Sequence, residues 1–177
     1  ALLADVAARL RPTDRVLEIG CGTGGIAIRL APHVADYTAT DYSTEMVRIA
    51  EAKPGPDNLR FGVATAQTAL DAGPFDAICA FNVLHLVEDL PGLLGDIYRK
   101  LEPGGLLISK TWCFADLGRR PHLLFAALKA FGLFPPATFL TEAQLRQMIE
   151  AAGFTIVAHR IFGTRPQNPY FVARKPA

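Results

Sequence analysis

Four glycines follow a run of strand-forming residues in the segment VLEIGCGTGG, which spans positions 16–25. A strand that enters a helix through glycines presents backbone N–H groups, and the missing Cβ atoms let a ligand approach the backbone closely. The spacing fits both Gly-x-Gly-x-Gly and Gly-x-Gly-x-x-Gly, and the second is a fingerprint of dinucleotide-binding loops. The segment therefore predicts a nucleotide-like ligand without choosing among such ligands.

Two carboxylates accompany this loop. Asp41 ends the predicted second strand, where it can accept hydrogen bonds from both hydroxyls of a ribose. Glu18 lies just before the glycines, where an acid would repel a pyrophosphate but favour a ligand with an ammonium and a sulfonium group, by about a few kcal/mol at most. Glu18 either interacts with such a ligand or hydrogen-bonds backbone amides of the loop, and the two roles are compatible.

Alternating strands and helices are needed to position these residues. Strands are predicted at 15–19, 36–40, 59–64, 75–81 and 106–112, with a closing pair at 154–162 and 169–175. Helices are predicted at 2–10, after the glycine loop, at 44–52, from 90 to the Pro103-Gly104 pair, around 124–131 and at 142–152. This order favours an α/β domain with a mainly parallel sheet, and the closing pair, which lacks an intervening helix, is expected to be antiparallel.

The composition fits one folded domain over residues 1–177, half of them hydrophobic and 20% charged. With 18 basic against 17 acidic residues, the net charge of +1 gives no reason to expect nucleic acid as a partner. The three cysteines are far apart and form no CxxC pair, so no metal or redox site is expected and a reduced, cytoplasmic setting is the simpler interpretation. No apolar run approaches the roughly 18 residues of a membrane span, so no membrane partner is expected. The chain begins with Ala1 inside a predicted helix, which leaves open whether a segment precedes it.

Four segments, the glycine loop among them, occur in a recognisable order. VLEIGCGTGG, TDYSTEM, FDAICAFNVLHLV and LEPGGLLIS resemble the successive motifs of class I S-adenosylmethionine-dependent methyltransferases, and the resemblance covers about residues 13–110. The segment LTEAQLRQMIEAAGF and the strand pair after it also match the end of that family. The resemblance implies a Rossmann-like sheet of seven mainly parallel strands, with helices on both faces and an antiparallel C-terminal strand pair. It also implies S-adenosylmethionine as cofactor and S-adenosylhomocysteine as product.

The same resemblance assigns the methionine and ribose parts of the cofactor. The backbone of Gly20 and Gly22 is expected to receive the methionine part, with Glu18 holding its surroundings. Cys21, between the two glycines, is expected to be a small space-filling residue of this site rather than a nucleophile. Asp41 is expected to bind the ribose hydroxyls.

The adenine is expected to lie between Tyr42 and Met46, for which packing in the core is the alternative. The third strand of the family ends in an Asp that contacts the adenine amino group, whereas Thr65 stands at that position here. Thr65 can still form a hydrogen bond, and the N–H of Ala66 is the remaining candidate.

Phe81 and Asn82, at the end of the fourth strand, are expected beside the methionine moiety and the transferred methyl group, with packing in the core as the alternative for Phe81. Transfer of a methyl group from a sulfonium is an in-line displacement that depends mainly on alignment. A base is needed only where the acceptor must lose a proton, and His85 then becomes the catalytic candidate, with a structural hydrogen bond as the alternative.

The variable segment 112–140, rich in Phe and Leu, is expected to form a substrate lid or a pocket wall, or only to cover the sheet. It favours a small apolar or aromatic acceptor. Two other functions remain open: a nicotinamide-dependent dehydrogenase that uses the same loop, and a cofactor-binding module without catalysis. The acceptor atom and the oligomeric state are not determined by the sequence.

Overall fold

The computed structural model describes residues 1–117, 140–162 and 168–177. Its strands are β1 (Arg15–Ile19), β2 (Asp36–Asp41), β3 (Leu59–Val63), β4 (Phe75–Phe81), β5 (Leu101–Lys110), β6 (Thr155–Ile161) and β7 (Pro169–Arg174). Its α-helices are α1 (Leu2–Ala7), α2 (Ala27–Leu30), α3 (Thr44–Glu51), α4 (Ala66–Ala69), α5 (Leu90–Lys100) and α6 (Glu142–Ala151). The helix expected around 124–131 and most of the segment expected to form a lid lie outside the described residues.

The seven strands form one sheet in the order β3-β2-β1-β4-β5-β7-β6. Neighbours from β3 to β5 run parallel, whereas β7 is antiparallel to both β5 and β6. This arrangement confirms the predicted fold, including the antiparallel closing pair. From β1 the chain continues to β2 on one side of the sheet, and from β4 it continues to β5 on the other side. The carboxyl ends of the neighbouring strands β1 and β4 therefore border an open crevice.

Side chains of β1 alternate between two hydrophobic cores, one on each face of the sheet. Leu17 packs in the core that includes Leu94 and Ile97 of α5, and Val16 packs in the core that includes Val6 of α1. Such burial on both faces is typical of central parallel strands. This burial holds β1 in the sheet and so fixes the position of the glycine loop, which follows β1 directly.

The boundary between α5 and β5 differs from the prediction. The helix ends at Lys100, and β5 starts at Leu101 rather than at 106. Leu101 pairs with Phe75 while Leu106 pairs with Ala77, so residues 102–105 bulge out of the strand. Gly104 has a φ of +78°, a backbone conformation that glycine adopts without steric cost. The Pro-Gly pair, expected to end a helix, therefore forms a bulge within a strand.

Helix caps follow the sequence closely. The Ser43 hydroxyl accepts a hydrogen bond from the Met46 amide at 3.3 Å at the start of α3, the position at which serine is favoured. Thr141 and Gln144 form a capping box at the start of α6. In the described part of the chain, no helix has both the length and the apolar character that crossing a bilayer requires.

Candidate functional site

A cavity of about 360 Å³ opens at the carboxyl ends of the first four strands. Its lining comes from the end of β1, the segments after β2, β3 and β4, and the first residues of α4. The lining residues are Ile19, Gly20, Tyr42, Ala64, Thr65, Ala66, Gln67, Val83, Leu86, Val87 and Glu88. Four residues that the sequence assigned to the cofactor thus meet in one cavity, namely Gly20, Tyr42, Thr65 and Ala66.

The glycine loop has the backbone that its sequence predicts. Gly20 and Gly22 have φ values of +69° and +53°, in the left-handed region that favours glycine. A Cβ on Gly20 would lie 2.6 Å from Val83 Cγ2, whereas a Cβ on Gly22 would meet no atom within 4 Å. Gly20 is therefore required by packing, while the space beside Gly22 is open to a ligand.

Asp41 fixes this loop to the end of β2. Its Oδ2 accepts a hydrogen bond from the Gly22 amide at 2.9 Å, and its Oδ1 accepts one from the Ser43 amide, also at 2.9 Å. The Cys21 amide donates to the Thr40 carbonyl oxygen at 2.9 Å. The buried carboxylate thus joins the two loops between which a ribose is expected to bind, and it retains further lone pairs for ribose hydroxyls.

Glu18 lies below the loop, in the core. Its side chain is only 1% exposed, and its Oε2 accepts a hydrogen bond from the Tyr37 hydroxyl at 2.8 Å. Burial raises the pKa of Glu18 to about 7, and the Tyr37 hydrogen bond opposes this rise. The hydrogen bond described for the Glu18 carboxylate thus comes from a side chain in the core. In the loop, the Gly22 amide donates to Asp41 and not to Glu18.

Cys21 and Met46 lie close to the site without lining the cavity. The Cys21 side chain is buried, and burial is the main cause that raises its pKa to about 12, so the thiol stays protonated near neutral pH. Met46, in the first turn of α3, is 37% exposed. The thiol is thus not activated as a nucleophile.

The adenine side of the cavity holds an exposed aromatic ring. Tyr42 is 79% exposed, so it does not pack in the core. The Thr65 hydroxyl accepts a hydrogen bond from the Thr68 amide at 3.2 Å in the capping box of α4. That hydroxyl therefore caps a helix at the edge of the cavity and keeps a second lone pair for a ligand.

Two polar side chains of this cavity were not identified from the sequence. Glu88 follows β4, and Gln67 belongs to α4, yet both line the same cavity as Thr65. Glu88 is a hydrogen-bond acceptor, while the Gln67 amide can both donate and accept. No local pattern marks either residue, because only the parallel packing of β3, β1 and β4 brings the two segments together.

The end of β4 turns sharply. Phe81 is buried in the core beside Cys79, whereas Asn82 is exposed and has a φ of +56°. The Asn82 amide donates to the Lys110 carbonyl oxygen at 2.6 Å, and the Asn82 Oδ1 accepts from Asn168 Nδ2 at 3.1 Å. Asn82 thus links the ends of β4 and β5 to the start of β7, and neither Phe81 nor Asn82 lines the cavity described above.

His85 lies beside an aromatic stack. Its ring meets Phe114 edge-on with centroids 5.3 Å apart, and Phe114 stacks on Trp112 at 5.8 Å. The His85 Nδ1 is buried and has no hydrogen-bond partner within residues 1–117, 140–162 and 168–177. Burial lowers the pKa of His85 to about 4, so the imidazole is neutral near neutral pH. It can accept a proton or a hydrogen bond there, but it is a weak base.

A glycine loop after β1, an acid at the end of β2 and a sheet closed by an antiparallel β7 are together typical of S-adenosylmethionine-dependent methyltransferases. Residues 1–159 match the family model described as a methyltransferase domain. The chain belongs to this family, whose cofactor is S-adenosylmethionine.

Individual relatives agree with this membership. The chain is 30% identical over 165 residues to a polyketide synthase of Bacillus subtilis, a match that covers 81% of this chain and 6% of that protein. It is also 30% identical over 154 residues to a ubiquinone biosynthesis O-methyltransferase of Psychrobacter arcticus, covering 80% of this chain and 59% of that protein. The chain thus spans less than two thirds of the length of both relatives.

A solved structure shares the fold along nearly the whole chain. The S-adenosylmethionine-dependent methyltransferase of Mesorhizobium loti superposes with a TM-score of 0.79 at 19% identity. The superposition covers 97% of this chain and 96% of that one.

Proposed function

We propose that this chain is a catalytic domain that transfers a methyl group from S-adenosylmethionine to a small, apolar or aromatic acceptor. The single observation that carries the proposal is the cavity at the ends of β1 to β4. Gly20 and the exposed Tyr42 line it, and Gly22 and Asp41, which are hydrogen-bonded to each other, lie within two residues of these lining residues along the chain.

The cofactor is proposed to extend along this edge of the sheet. Its methionine end lies at the loop of Gly20, Cys21 and Gly22, and its ribose lies at Asp41. The residues proposed for the adenine are Tyr42, Met46, Thr65 and Ala66, and those proposed for the methyl end are Phe81 and Asn82. The open space beside Gly22 and the volume of the cavity support this placement.

When bound, the cofactor supplies an electrophilic methyl group on a positively charged sulfur. The protein aligns an acceptor lone pair with the carbon–sulfur bond, so that the new bond forms as that bond breaks and leaves a neutral thioether. His85 is proposed as the group that accepts a proton where the acceptor must lose one. Its neutral imidazole supports this role, as does an Nδ1 atom that has no hydrogen-bond partner among the described residues.

The acceptor is proposed to bind against the stack of Trp112 and Phe114, next to His85. Flat aromatic side chains favour apolar or aromatic ligands. The names of the relatives, a polyketide synthase and a ubiquinone biosynthesis O-methyltransferase, support a small organic acceptor. We further propose that segment 112–140 covers this acceptor within a single domain spanning 1–177, although residues 118–139 lie outside the part of the chain that the structure describes.

A cytoplasmic setting without a nucleic-acid partner completes the proposal. Cys21, Cys79 and Cys113 are all free and buried, which supports a reducing compartment. The near-balanced charge supports a small acceptor rather than a polyanion.

Calorimetric titration with S-adenosylhomocysteine and, separately, with NAD tests the cofactor. We expect binding of the first and none of the second; binding of NAD alone would support a dehydrogenase instead. Incubation with methyl-labelled S-adenosylmethionine and a panel of phenols, catechols and β-keto thioesters then tests transfer. Tight cofactor binding without any labelled product would favour a binding module without catalysis.

A further inference from the structure

Glu18 is a buried acid that forms none of the described ion pairs. The ionisable groups that face it are the Tyr37 hydroxyl from β2 and the thiols of Cys79 from β4 and Cys21 from the loop. Asp41 is the other charged group near Cys21. Each of these groups is neutral or negative near neutral pH, so within the described residues no cation compensates the carboxylate.

Among the described residues, helices α1 and α2, which pack on the same face of the sheet, place no charged side chain against Glu18 and Tyr37. Val6 of α1 and Ala27 of α2 contribute apolar side chains to the same core. The charged residues of the α1 region, Asp5 and Arg9, pair with each other at 2.8 Å. Tyr37 is thus the one described hydrogen-bond donor to the Glu18 side chain.

The register of the sheet explains why a tyrosine reaches this acid. Tyr37 pairs with Val16 on β1, so its side chain lies on the same face as Val16 and Glu18. Glu18 is the next residue of β1 on that face. The Tyr37 ring extends toward it from the Tyr37–Val16 pair, and the Tyr37 hydroxyl lies 2.8 Å from the Glu18 carboxylate. Phenylalanine would keep the ring and lose only the donor.

We propose that Tyr37 is a positioning residue for cofactor discrimination. Its hydroxyl holds the Glu18 carboxylate, in its ionised form, beneath the glycine loop, and this charge favours the sulfonium cofactor over its neutral thioether product. Tyr37 takes this role only if the cofactor binds as proposed above, with its methionine end on the loop that follows Glu18.

The physical reason is the difference in charge between the two ligands. S-adenosylmethionine and S-adenosylhomocysteine share their amino, carboxylate and adenosine groups and differ by the methyl group and one positive charge. A buried carboxylate interacts more strongly with that charge than an exposed one, since little solvent screens it. Loss of the Tyr37 hydroxyl removes a hydrogen bond to the ionised form and therefore favours the protonated acid.

The affinities of both ligands, measured by calorimetry between about pH 6 and about pH 8, test this role. The ratio of the two affinities cancels the titration of the groups that the ligands share. We expect the wild-type ratio to move toward S-adenosylmethionine by about 3- to 10-fold as the pH rises. In Tyr37→Phe this change should occur about one pH unit higher, and in Glu18→Gln it should disappear.

Tyr170→Phe is the matched control. Tyr170 is a fully buried tyrosine of the same core, and none of the described hydrogen bonds joins it to Glu18. It should retain the wild-type pH profile, even if its thermal stability falls. A merely structural Tyr37 would behave like this control.

The outcomes separate this role from the proposed function. If neither ligand binds, the proposed function and the role of Tyr37 both fail. If both ligands bind with a ratio that is the same at every pH, or if Tyr37→Phe keeps the wild-type profile, only the role of Tyr37 fails. Should Glu18→Gln not fold, the comparison of Tyr37→Phe with Tyr170→Phe decides the question alone.

Discussion

The Asp41 carboxylate accepts a hydrogen bond from the Gly22 amide at 2.9 Å and so ties the end of β2 to the glycine loop. The acid that is expected to bind the ribose thus also orders the loop that receives the methionine part. In Asp41→Ala both effects are lost, and we expect affinity for S-adenosylhomocysteine to fall by at least about 10-fold in calorimetric titration. Asp36→Ala is the control, because Asp36 lies at the other end of β2 and pairs with Arg60. Equal affinities of the two variants would contradict the assignment.

Gly20 and Gly22 should respond differently to alanine. At Gly20 the new Cβ meets Val83 and the backbone is left-handed, so we expect Gly20→Ala to lower the free energy of unfolding by about 2 kcal/mol or more. At Gly22 the space is open, so Gly22→Ala should cost only about 1 kcal/mol. Gly22→Ala should nevertheless abolish most S-adenosylhomocysteine binding. Urea unfolding and calorimetry measure the two effects, and normal ligand binding by Gly22→Ala would exclude close approach of the ligand at that residue.

Glu88 is predicted to recognise the adenine amino group in addition to the contacts proposed above, because its carboxylate lines the same cavity as Thr65. S-inosylhomocysteine lacks this amino group, so it provides a direct comparison with S-adenosylhomocysteine. In Glu88→Gln we expect the preference for the adenosyl ligand to fall by about 5- to 10-fold. Glu102→Gln, an exposed carboxylate in the bulge of β5, should leave the preference unchanged. A loss in Gln67→Leu but not in Glu88→Gln would assign the contact to Gln67 instead.

His85→Ala is expected to lower turnover far more than cofactor affinity. The ring is placed beside Phe114 and Trp112 rather than in the cavity proposed for adenine, so the cofactor should bind nearly as in the wild type. Because burial lowers the pKa of His85 to about 4, the rate should show no inflection from this residue near its ordinary value of 6.5. Steady-state kinetics with an identified acceptor measures both quantities. Unchanged turnover would leave His85 a structural role only.

Glu18 should make stability fall as the pH rises. Its pKa is about 7 in the folded protein and 4.5 as the ordinary value, so the folded state binds more protons than the unfolded state between these limits. The contribution of the protonated acid is therefore full below about pH 4.5 and is lost as the pH rises through about 7. The total is about 3 kcal/mol, since each pKa unit corresponds to about 1.4 kcal/mol.

Glu18→Gln removes this titration while keeping the size of the side chain. Its free energy of unfolding should exceed that of the wild type at about pH 8 and should approach it near about pH 5. Chemical denaturation at both pH values provides the measurement. The same difference at both values would show that Glu18 does not titrate in this range.

The sequence by itself determined the class of the fold and the position of the ligand loop. Strand and helix periods, caps such as Ser43, and the glycines after β1 are local signals, because each depends on residues only a few positions apart. The glycines after β1 accordingly have a left-handed backbone, and Ser43 caps α3, both in line with these local signals. The predicted boundary between α5 and β5 was wrong, because the pairing of Leu101 with Phe75 extends β5 toward its N-terminus, past a Pro-Gly pair.

The tertiary structure alone decided what the polar groups contact. Glu18 accepts a hydrogen bond from Tyr37, Asp41 accepts one from the Gly22 amide, and Glu88 shares a cavity with Thr65. These partners are separated along the chain by whole strands and helices, and they meet only through the register and order of the parallel strands. Sequence periodicity shows which face of a strand a residue occupies, but it carries no information about which residue of the neighbouring strand lies beside it.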